Sequence, residues 1–463
     1  MKSDLSFEQA VEYIKSLDMY GSVLGLDNMR ALAKALGNPE DSLRFVHVTG
    51  TNGKGSACAF LSNTLVKAGY KVGSYNSPSV IDGIDQFKIN MKHIRKKLYA
   101  KAISIVRAAC ATVASETGNH PTRFEVETMA AFVAFSLEKC DIVVLETGLG
   151  GRDDATNIIN TEILHVFMPI SLDHSEVLGN TLEDIARVKA GIIKNSVPTV
   201  ICCREEFLES DDGPESVIES RCREMNSKVY KVTKDLIDNI RISNKHLVFD
   251  LKESEELELT PVKIKLRMKG AYQPLNALVA FTAAKVLSDI GFNITEDNIK
   301  KAFKKTKIPF RFQEMKIDNM VDIILDGAHN PDGARKFVKS LQLNYPDREK
   351  IYVTGIFKDK DYAKIAEITG SCARKIYVIQ NEKSARSLDK AVLAEEYRKY
   401  CDDVIEVESV QNAIDKATDD AKALISANAT HPVVCCFGSL SWLNEAKEYI
   451  KSKRRVIRDI KNK

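Results

Sequence analysis

A short apolar run, Arg44-Phe45-Val46-His47-Val48, feeds into Thr49-Gly50-Thr51-Asn52-Gly53-Lys54-Gly55-Ser56, and a helical pattern carrying Ala57, Phe60, Leu61, Leu65 and Val66 follows and stops at Gly69. Strand, glycine-rich turn and helix in that order make the first βα unit of a parallel sheet, with 71–75 as the next strand. In this setting backbone N–H groups, the positive end of the helix dipole and a lysine converge on phosphate. The spacing G-x-x-G-K-G-S is one residue tighter than the commonest phosphate loop, with Gly55 between lysine and hydroxyl. Such a turn can exist only to let a strand meet a helix closely. The lysine, the Ser56 hydroxyl and the context favour phosphate, so Gly50, Thr51, Asn52, Gly53, Lys54, Gly55 and Ser56 are candidate nucleotide contacts, with Lys54 neutralising β/γ-phosphate oxygens.

The alternation continues with helices over 98–115 and 124–139, strands at 141–146 and 163–170, a helix over 181–193 and a strand at 198–202. One strand per crossover is the pattern of a doubly wound α/β domain. From 228 to 268 the period shortens to alternating runs with no helix between them, which predicts a small antiparallel sheet appended to that domain. Helices follow at 274–290 and 296–305, Ile308-Pro309 breaks the chain, and strands at 322–325, 351–354, 375–379, 403–407 and 432–437 alternate with helical stretches. The expectation is an N-terminal α/β domain over 1–306 and a Rossmann-like α/β domain over 313–463.

The charge balance is close to even, 67 Lys+Arg against 64 Asp+Glu, and seven of the basic residues fall in 451–463, so the body is a poor match to a nucleic-acid binder. The ten cysteines show no C-x-x-C spacing and several lie in apolar runs, which predicts reduced, buried thiols of a cytoplasmic protein without zinc or disulfides. No run of about 18 apolar residues suggests a membrane span, the first 17 residues read as an amphipathic helix, and no long exposed apolar repeat calls for a partner, so a monomer is expected.

Glu146 ends the apolar strand and leads into Thr147-Gly148-Leu149-Gly150-Gly151-Arg152-Asp153-Asp154-Ala155-Thr156-Asn157. A carboxylate at the carboxyl end of a buried parallel strand suits Mg²⁺ bridging nucleotide phosphates, and taken alone a solvated strand-end carboxylate explains it as well. Asp173-His174 is open in the same way, and Ser77 follows the strand at 71–75 on the same sheet edge. Lys189 has Ile185, Ala186, Ile192 and Ile193 as helical neighbours, for which a snorkelling surface lysine is the default explanation. Asp326-Gly327-Ala328-His329-Asn330-Pro331-Asp332 again sets carboxylate, histidine and amide where a strand ends and a helix begins. A helix cap needs only Asn330 or Asp332, which leaves Asp326 and His329 for another task.

In this order the pieces resemble folylpolyglutamate synthase and the bifunctional dihydrofolate synthase of the Mur-ligase-like superfamily. The match is collinear over nearly the whole chain: 24–30, the tight phosphate loop, Ser77-Pro78, Phe124-Glu125, 146–157, Leu172-Asp173-His174, 189–194, Gln273 with Asn276-Ala277, Arg311-Phe312-Gln313, 326–331 and Gly438-Ser439-Leu440. The resemblance implies an ATP-dependent ligase that joins L-glutamate to a folate carboxylate, with tetrahydrofolate and dihydropteroate as acceptors. It implies two Mg²⁺ sites held by Ser56, Ser77, Glu146, His174 and a CO₂-carbamylated Lys189. Asn276, Arg311 and Asp326 become nucleotide contacts, His329 joins Lys54, Lys189 and Asp326 as catalytic groups, and Leu26, Arg30, Phe124, Glu125, Asp153, Asp154 and Ala155 become folate contacts.

Several positions depart from the family pattern: Tyr272 stands where a histidine is usual, Ser79 where a large residue often follows Ser-Pro, Asp153 where an apolar residue is common, and 82–90 lacks the usual Glu-Arg pair. A cell-wall Mur ligase would carry a UDP-sugar domain ahead of the loop, for which the 49 residues before Gly50 are few. An ATP-binding scaffold without activity would be expected to lack Glu146, His174, Lys189, Asp326 and His329, and all are present.

Overall fold

The computed structural model describes residues 4–21, 25–79, 83–204, 213–243, 245–318, 320–381, 384–427 and 430–461. It divides into two compact units, one of Met1–Ile240, Phe249–Lys265 and Pro274–Thr306, the other of Arg241–Val248, Leu266–Gln273 and Lys307–Lys463.

The first unit begins with α1 (Phe7–Ser16) and α2 (Asp27–Ala35), then β1 (Phe45–Thr49), α3 (Lys54–Lys67), β2 (Val72–Tyr75), β3 (Phe87–Ile89), β4 (Lys92–His93), α4 (Lys96–Thr117) and α5 (Arg123–Leu137). β5 (Ile142–Glu146), β6 (Glu162–Phe167), α6 (Ser175–Leu178), α7 (Leu182–Ala190), β7 (Thr199–Cys202), α8 (Pro214–Glu224) and β8 (Val229–Val232) follow. Eight strands form one sheet in the order β4-β3-β2-β5-β1-β6-β7-β8. β2, β5, β1, β6, β7 and β8 pair in parallel in that order, while β3 pairs antiparallel with both β2 and β4 at the edge. Every residue of β1 and β5 is buried, as expected for strands covered on both faces. Because β5 and β6 flank β1 on opposite sides, the carboxyl end of β1 is a switch point, where open α/β sheets bind ligands.

β8 does not belong to the small sheet: it pairs in parallel with β7, Thr199 opposite Val229 through Cys202 opposite Val232. The crossover is α8, a helix the sequence pattern did not announce, because its buried stripe is only Pro214, Glu215, Ile218 and Cys222 within a polar stretch. The separate sheet holds three strands, β9 (Ile237–Ser243), β10 (His246–Leu251) and β11 (Val262–Leu266), in the order β11-β10-β9. α9 (Gln273–Asp289) and α10 (Glu296–Phe303) come next.

α4 is long and apolar enough to cross a membrane by length and composition alone. Its apolar side is occupied, with Tyr99, Ile103, Val106, Cys110 and Val113 in one cluster with Ile14, Met29, Leu32 and Phe132 of α1, α2 and α5.

The second unit contains β12 (Gln313–Lys316), β13 (Asp322–Asp326), α11 (Pro331–Asn344), β14 (Lys350–Thr354), α12 (Tyr362–Gly370), β15 (Lys375–Ile379), α13 (Lys390–Arg398), β16 (Val404–Val407), α14 (Val410–Ser426), β17 (Val433–Phe437) and α15 (Leu440–Lys461). Its sheet order is β12-β13-β17-β14-β15-β16, parallel apart from β12. β12 is an edge strand with alternating exposure, too short and polar to read from the sequence. The segment Leu266–Gln273 groups with this unit, against the expected placement in the first domain.

Candidate active site

α3 opens at Lys54 behind Gly53, which has φ of 98° and no side-chain cap, and the first turn holds no acidic residue. The leading N–H groups and the helix dipole therefore remain suited to an incoming anion. Two glycines are required by space as well as by conformation. At Gly50, φ 137°, a Cβ would lie 2.6 Å from Met168 Cβ and 2.7 Å from its carbonyl oxygen; at Gly53 it would lie 2.5 Å from Asn276 Oδ1. Asn276, 4% exposed on α9, is thus held against the loop. The segment after β6 is stitched to the same loop, with Thr51 N–H donating to Pro169 O at 3.0 Å and Thr51 Oγ1 donating to Ser171 O at 3.0 Å.

Two lysines meet at one carbonyl. Lys54 Nζ donates to Gly50 O at 3.0 Å and Thr51 O at 3.3 Å, and Lys189 Nζ donates to Gly50 O at 2.9 Å. Lys189 is 3% exposed, so it does not snorkel: Ile185, Ala186, Ile192 and Ile193 are all buried and carry its stem inward. Burial first, then the Lys54 charge, lower its pKa from 10.5 to about 7, with Asp154 and Asp173 opposing.

Glu146, 5% exposed at the end of β5, accepts from Asn76 Nδ2 at 2.9 Å, and Asn76 Oδ1 in turn accepts from Ser74 Oγ at 3.0 Å. Asn76 was missed by the sequence reading, although its place beside Ser77, one strand over from β5, was the available signal. A Cβ on Gly55 would stand 3.4 Å from Glu146 Oε2, so this glycine keeps the space over the carboxylate clear. Ser77, Glu146 and the phosphate loop therefore lie at the carboxyl ends of the neighbouring strands β2, β5 and β1. His174 lies beyond β6 at φ 53°, with its side chain 44% exposed and Nε2 3.9 Å from Asp173 Oδ1. No group of three His, Cys, Asp or Glu side chains able to hold a metal occurs among the described residues. The donor chemistry still fits Mg²⁺: the Glu146 carboxylate and the Ser56 and Ser77 hydroxyls are hard oxygens, and Gly55 leaves room over the carboxylate.

The expected folate residues divide into two kinds. Phe124 lies over Gly148, where a Cβ would come within 2.4 Å of its ring, and its ring centre is 6.3 Å from that of Tyr75. Gly25 N–H donates to Asp153 O at 3.2 Å, which brings the segment carrying Leu26 to the loop carrying Asp153 and Ala155. Arg30 pairs with Asp27 at 3.2 Å and Asp153 with Arg152 at 2.9 Å, both exposed enough to exchange partners.

Glu125 and Asp154 have prior commitments. Glu125 Oε2 accepts Thr122 N–H at 2.7 Å, Thr122 Oγ1 at 2.8 Å and Asn28 Nδ2 at 3.3 Å, closing a capping box on α5. Asp154 Oδ2 accepts Leu149 N–H at 2.7 Å and Oδ1 accepts Thr156 N–H at 3.0 Å, holding the 148–157 loop in shape. Both residues are 3% exposed and spend these hydrogen bonds on the local backbone, so they support the elements that carry the site. Leu24 and Asp82, which belong to two of the sequence motifs, lie outside the described residues.

The second unit carries its own cluster. Asp326 ends β13, 3% exposed, and its carboxylate accepts Phe312 N–H at 2.8 Å, Tyr272 Oη at 2.9 Å and Ala328 N–H at 2.9 Å. Burial pushes its pKa up, and the Arg311 charge is the foremost opposing influence. Arg311 is flanked by Phe310 and Phe312 at φ 60° and 49°, and a Cβ on Gly327 would fall 2.5 Å from its Nη1. The left-handed backbone and the glycine together aim the guanidinium along the end of β13. His329 Nδ1 lies 2.7 Å from Gly327 O, and Asn330 is the cap of α11, accepting Gly333 N–H at 2.8 Å.

Residues 48–284, more than half the chain, match the Mur ligase middle domain, and 310–440 match the Mur ligase glutamate ligase domain. Dihydrofolate synthetase of Saccharomyces cerevisiae is 33% identical over 348 residues, covering 73% of this chain and 77% of that protein. The chain belongs to the folylpolyglutamate synthase and dihydrofolate synthase family of Mur ligases. It is similar to folylpolyglutamate synthase of Lacticaseibacillus casei, 29% identical over 390 residues, 84% of this chain and 88% of that one. Among solved structures, Mycobacterium tuberculosis folylpolyglutamate synthase complexed with ADP and AMPPCP superposes with a TM-score of 0.85 at 25% identity, over 96% of this chain and 99% of that chain. Membership makes this ligase ATP-dependent, in keeping with the open phosphate loop at α3.

Proposed function

We propose that this ligase joins L-glutamate to tetrahydrofolate and to dihydropteroate through an acyl phosphate. The observation that carries the reading is the phosphate loop with the Glu146 carboxylate and the buried Lys189 amine against it. The relatives support the choice of substrates, since they are named folylpolyglutamate synthase, dihydrofolate synthetase, or both together. One solved structure of the family, from Escherichia coli, is a complex with DHPP and ADP.

A carboxylate and an amine do not condense in water, because hydroxide is a poor leaving group. Transfer of the γ-phosphoryl group of ATP to the acceptor carboxylate leaves ADP and an acyl phosphate. The glutamate amine then attacks the carbonyl carbon, the C–O bond to phosphate breaks, and phosphate departs with one oxygen of the original carboxylate as the amine loses its proton. Lys54 and the N–H groups of 50–56 hold and neutralise the phosphates. Arg311 and Asp326 bind the nucleotide, and His329 assists the transfer. Lys189, as the neutral amine, adds to CO₂ with loss of a proton and becomes a carbamate anion. Ser56, Ser77, Glu146, His174 and that carbamate are the groups that would hold two Mg²⁺ ions, which when bound supply charge neutralisation to the phosphoryl oxygens. Leu26, Arg30, Phe124, Asp153 and Ala155 form the folate side, with Glu125 and Asp154 fixing the elements that present them.

The test is ADP release by purified protein given ATP, glutamate and either dihydropteroate or tetrahydrofolate side by side. The reading requires release that depends on both glutamate and a folate substrate, and release dependent on neither would end it.

A further inference from the structure

We infer that Tyr272 is a positioning residue for Asp326, setting the direction in which that carboxylate meets the nucleotide. The inference deepens the ligase reading and rests on it for the role of Asp326. An ionised carboxylate offers about four acceptor directions. Three are taken in Asp326: Oδ2 accepts Tyr272 Oη at 2.9 Å and Phe312 N–H at 2.8 Å, and Oδ1 accepts Ala328 N–H at 2.9 Å. What remains for a ligand is one direction on Oδ1, and the rotation of the carboxylate decides where it points.

Of the three donors only Tyr272 is a side chain, and it is built into place. Ala271 N–H donates to Ser340 Oγ at 2.8 Å, Asn344 Nδ2 donates to Lys269 O at 3.0 Å, and Gln273 N–H donates to Gly270 O at 2.9 Å. These bonds tie the segment to α11 and fold it into a turn directly beneath the phenol. Gly270 is part of the arrangement, since a Cβ there would stand 2.7 Å from Tyr272 Cζ. Burial, and then the Asp326 charge, keep the phenol protonated and therefore always a donor. A neutral imidazole N–H can donate the same kind of bond, so Tyr272→His is the conservative variant and Tyr272→Phe the one that removes only the donor.

The experiment uses the full-length protein as wild type, Tyr272→Phe and Tyr272→His. ADP affinity is measured by calorimetry, and the steady-state kinetics of ATP turnover with dihydropteroate and glutamate are followed alongside. Tyr272→Phe is expected to raise the ADP Kd and the KM for ATP by about 10-fold, as for loss of one hydrogen bond to a charged group, with kcat within about two-fold of wild type. Tyr272→His is expected to restore both constants to within about two-fold of wild type. ADP binding by Tyr272→Phe equal to wild type would overturn the assignment. So would a Tyr272→His variant as impaired as Tyr272→Phe, which would reduce Tyr272 to a packing role. If Tyr272→Phe does not fold, the ADP affinity of Tyr272→His decides by the same criterion. Wild type that shows no folate- and glutamate-dependent ADP release would end the ligase reading, while the ADP affinities of the variants still decide the role of Tyr272.

Discussion

Lys189 carries the most demanding prediction, because its chemistry depends on a proton it must lose. With its pKa lowered to about 7, about three quarters of the amines are neutral at pH 7.5, against about one in a thousand for a solvated lysine near 10.4. The form that reacts with CO₂ is thus enriched by roughly two to three orders of magnitude by burial beside Lys54. Lys189→Ala should lower folate-dependent ADP release by at least about 100-fold, with partial rescue by an added short carboxylate. Wild type in ¹³C-labelled bicarbonate at pH 8 should show a carbamate carbon signal that Lys189→Ala lacks. Because the folded pKa lies below the unfolded one, the neutral amine is lost as pH falls through about 7, and carbamate and activity should fall together on that limb. The same shift is a cost to stability, fully present below pH 7 and relieved as pH rises toward the unfolded value of 10.5. Lys189→Met should therefore be inactive yet more stable near neutral pH, by at most about 4 kcal/mol. Full activity in Lys189→Ala, or no carbamate signal in wild type, would rule out a carbamate at Lys189.

Three further substitutions separate supports from surfaces. Gly50→Ala, which sets a Cβ 2.6 Å from Met168 Cβ at a φ of 137°, should cost about 2–4 kcal/mol in urea unfolding and abolish ADP binding. Glu125→Ala should lose about 1–2 kcal/mol through its α5 cap while the KM for dihydropteroate stays within about two-fold; a large KM effect at unchanged stability would make Glu125 a substrate contact instead. Asn76→Ala, which removes the 2.9 Å bond to Glu146, should lower kcat by about 10-fold with the thermal midpoint little altered.

What could be read from the sequence followed strength of pattern. The β1–α3 unit was legible because five buried strand residues, a glycine turn and a helix lie in one stretch. β8 was misplaced because a four-residue strand with half-exposed side chains looks the same at the edge of a parallel sheet as in a hairpin, and only α8, with its narrow buried stripe, distinguishes the two. At the site, Lys189 looked like a surface lysine because periodicity shows a helix face and not what lies above it. The carbonyl of Gly50, 139 positions away, is what turns the amine inward. Glu125 is the reverse case. Thr122-Arg123-Phe124-Glu125 is a capping-box pattern legible in the local sequence, a structural task for the acid beside the folate contact that the family resemblance implies. The support that Asp154 gives its loop was not legible at all, since hydrogen bonds within a loop leave no periodic trace.

In the proposed order of events ATP activates the acceptor carboxylate as an acyl phosphate before glutamate attacks. Dihydropteroate labelled with ¹⁸O in its carboxylate, turned over with ATP and glutamate, tests it directly through the mass of the released phosphate. One ¹⁸O is expected in phosphate for each amide bond formed, because the carboxylate oxygen becomes the bridging oxygen and leaves with phosphorus. Amide product accompanied by unlabelled phosphate would contradict it.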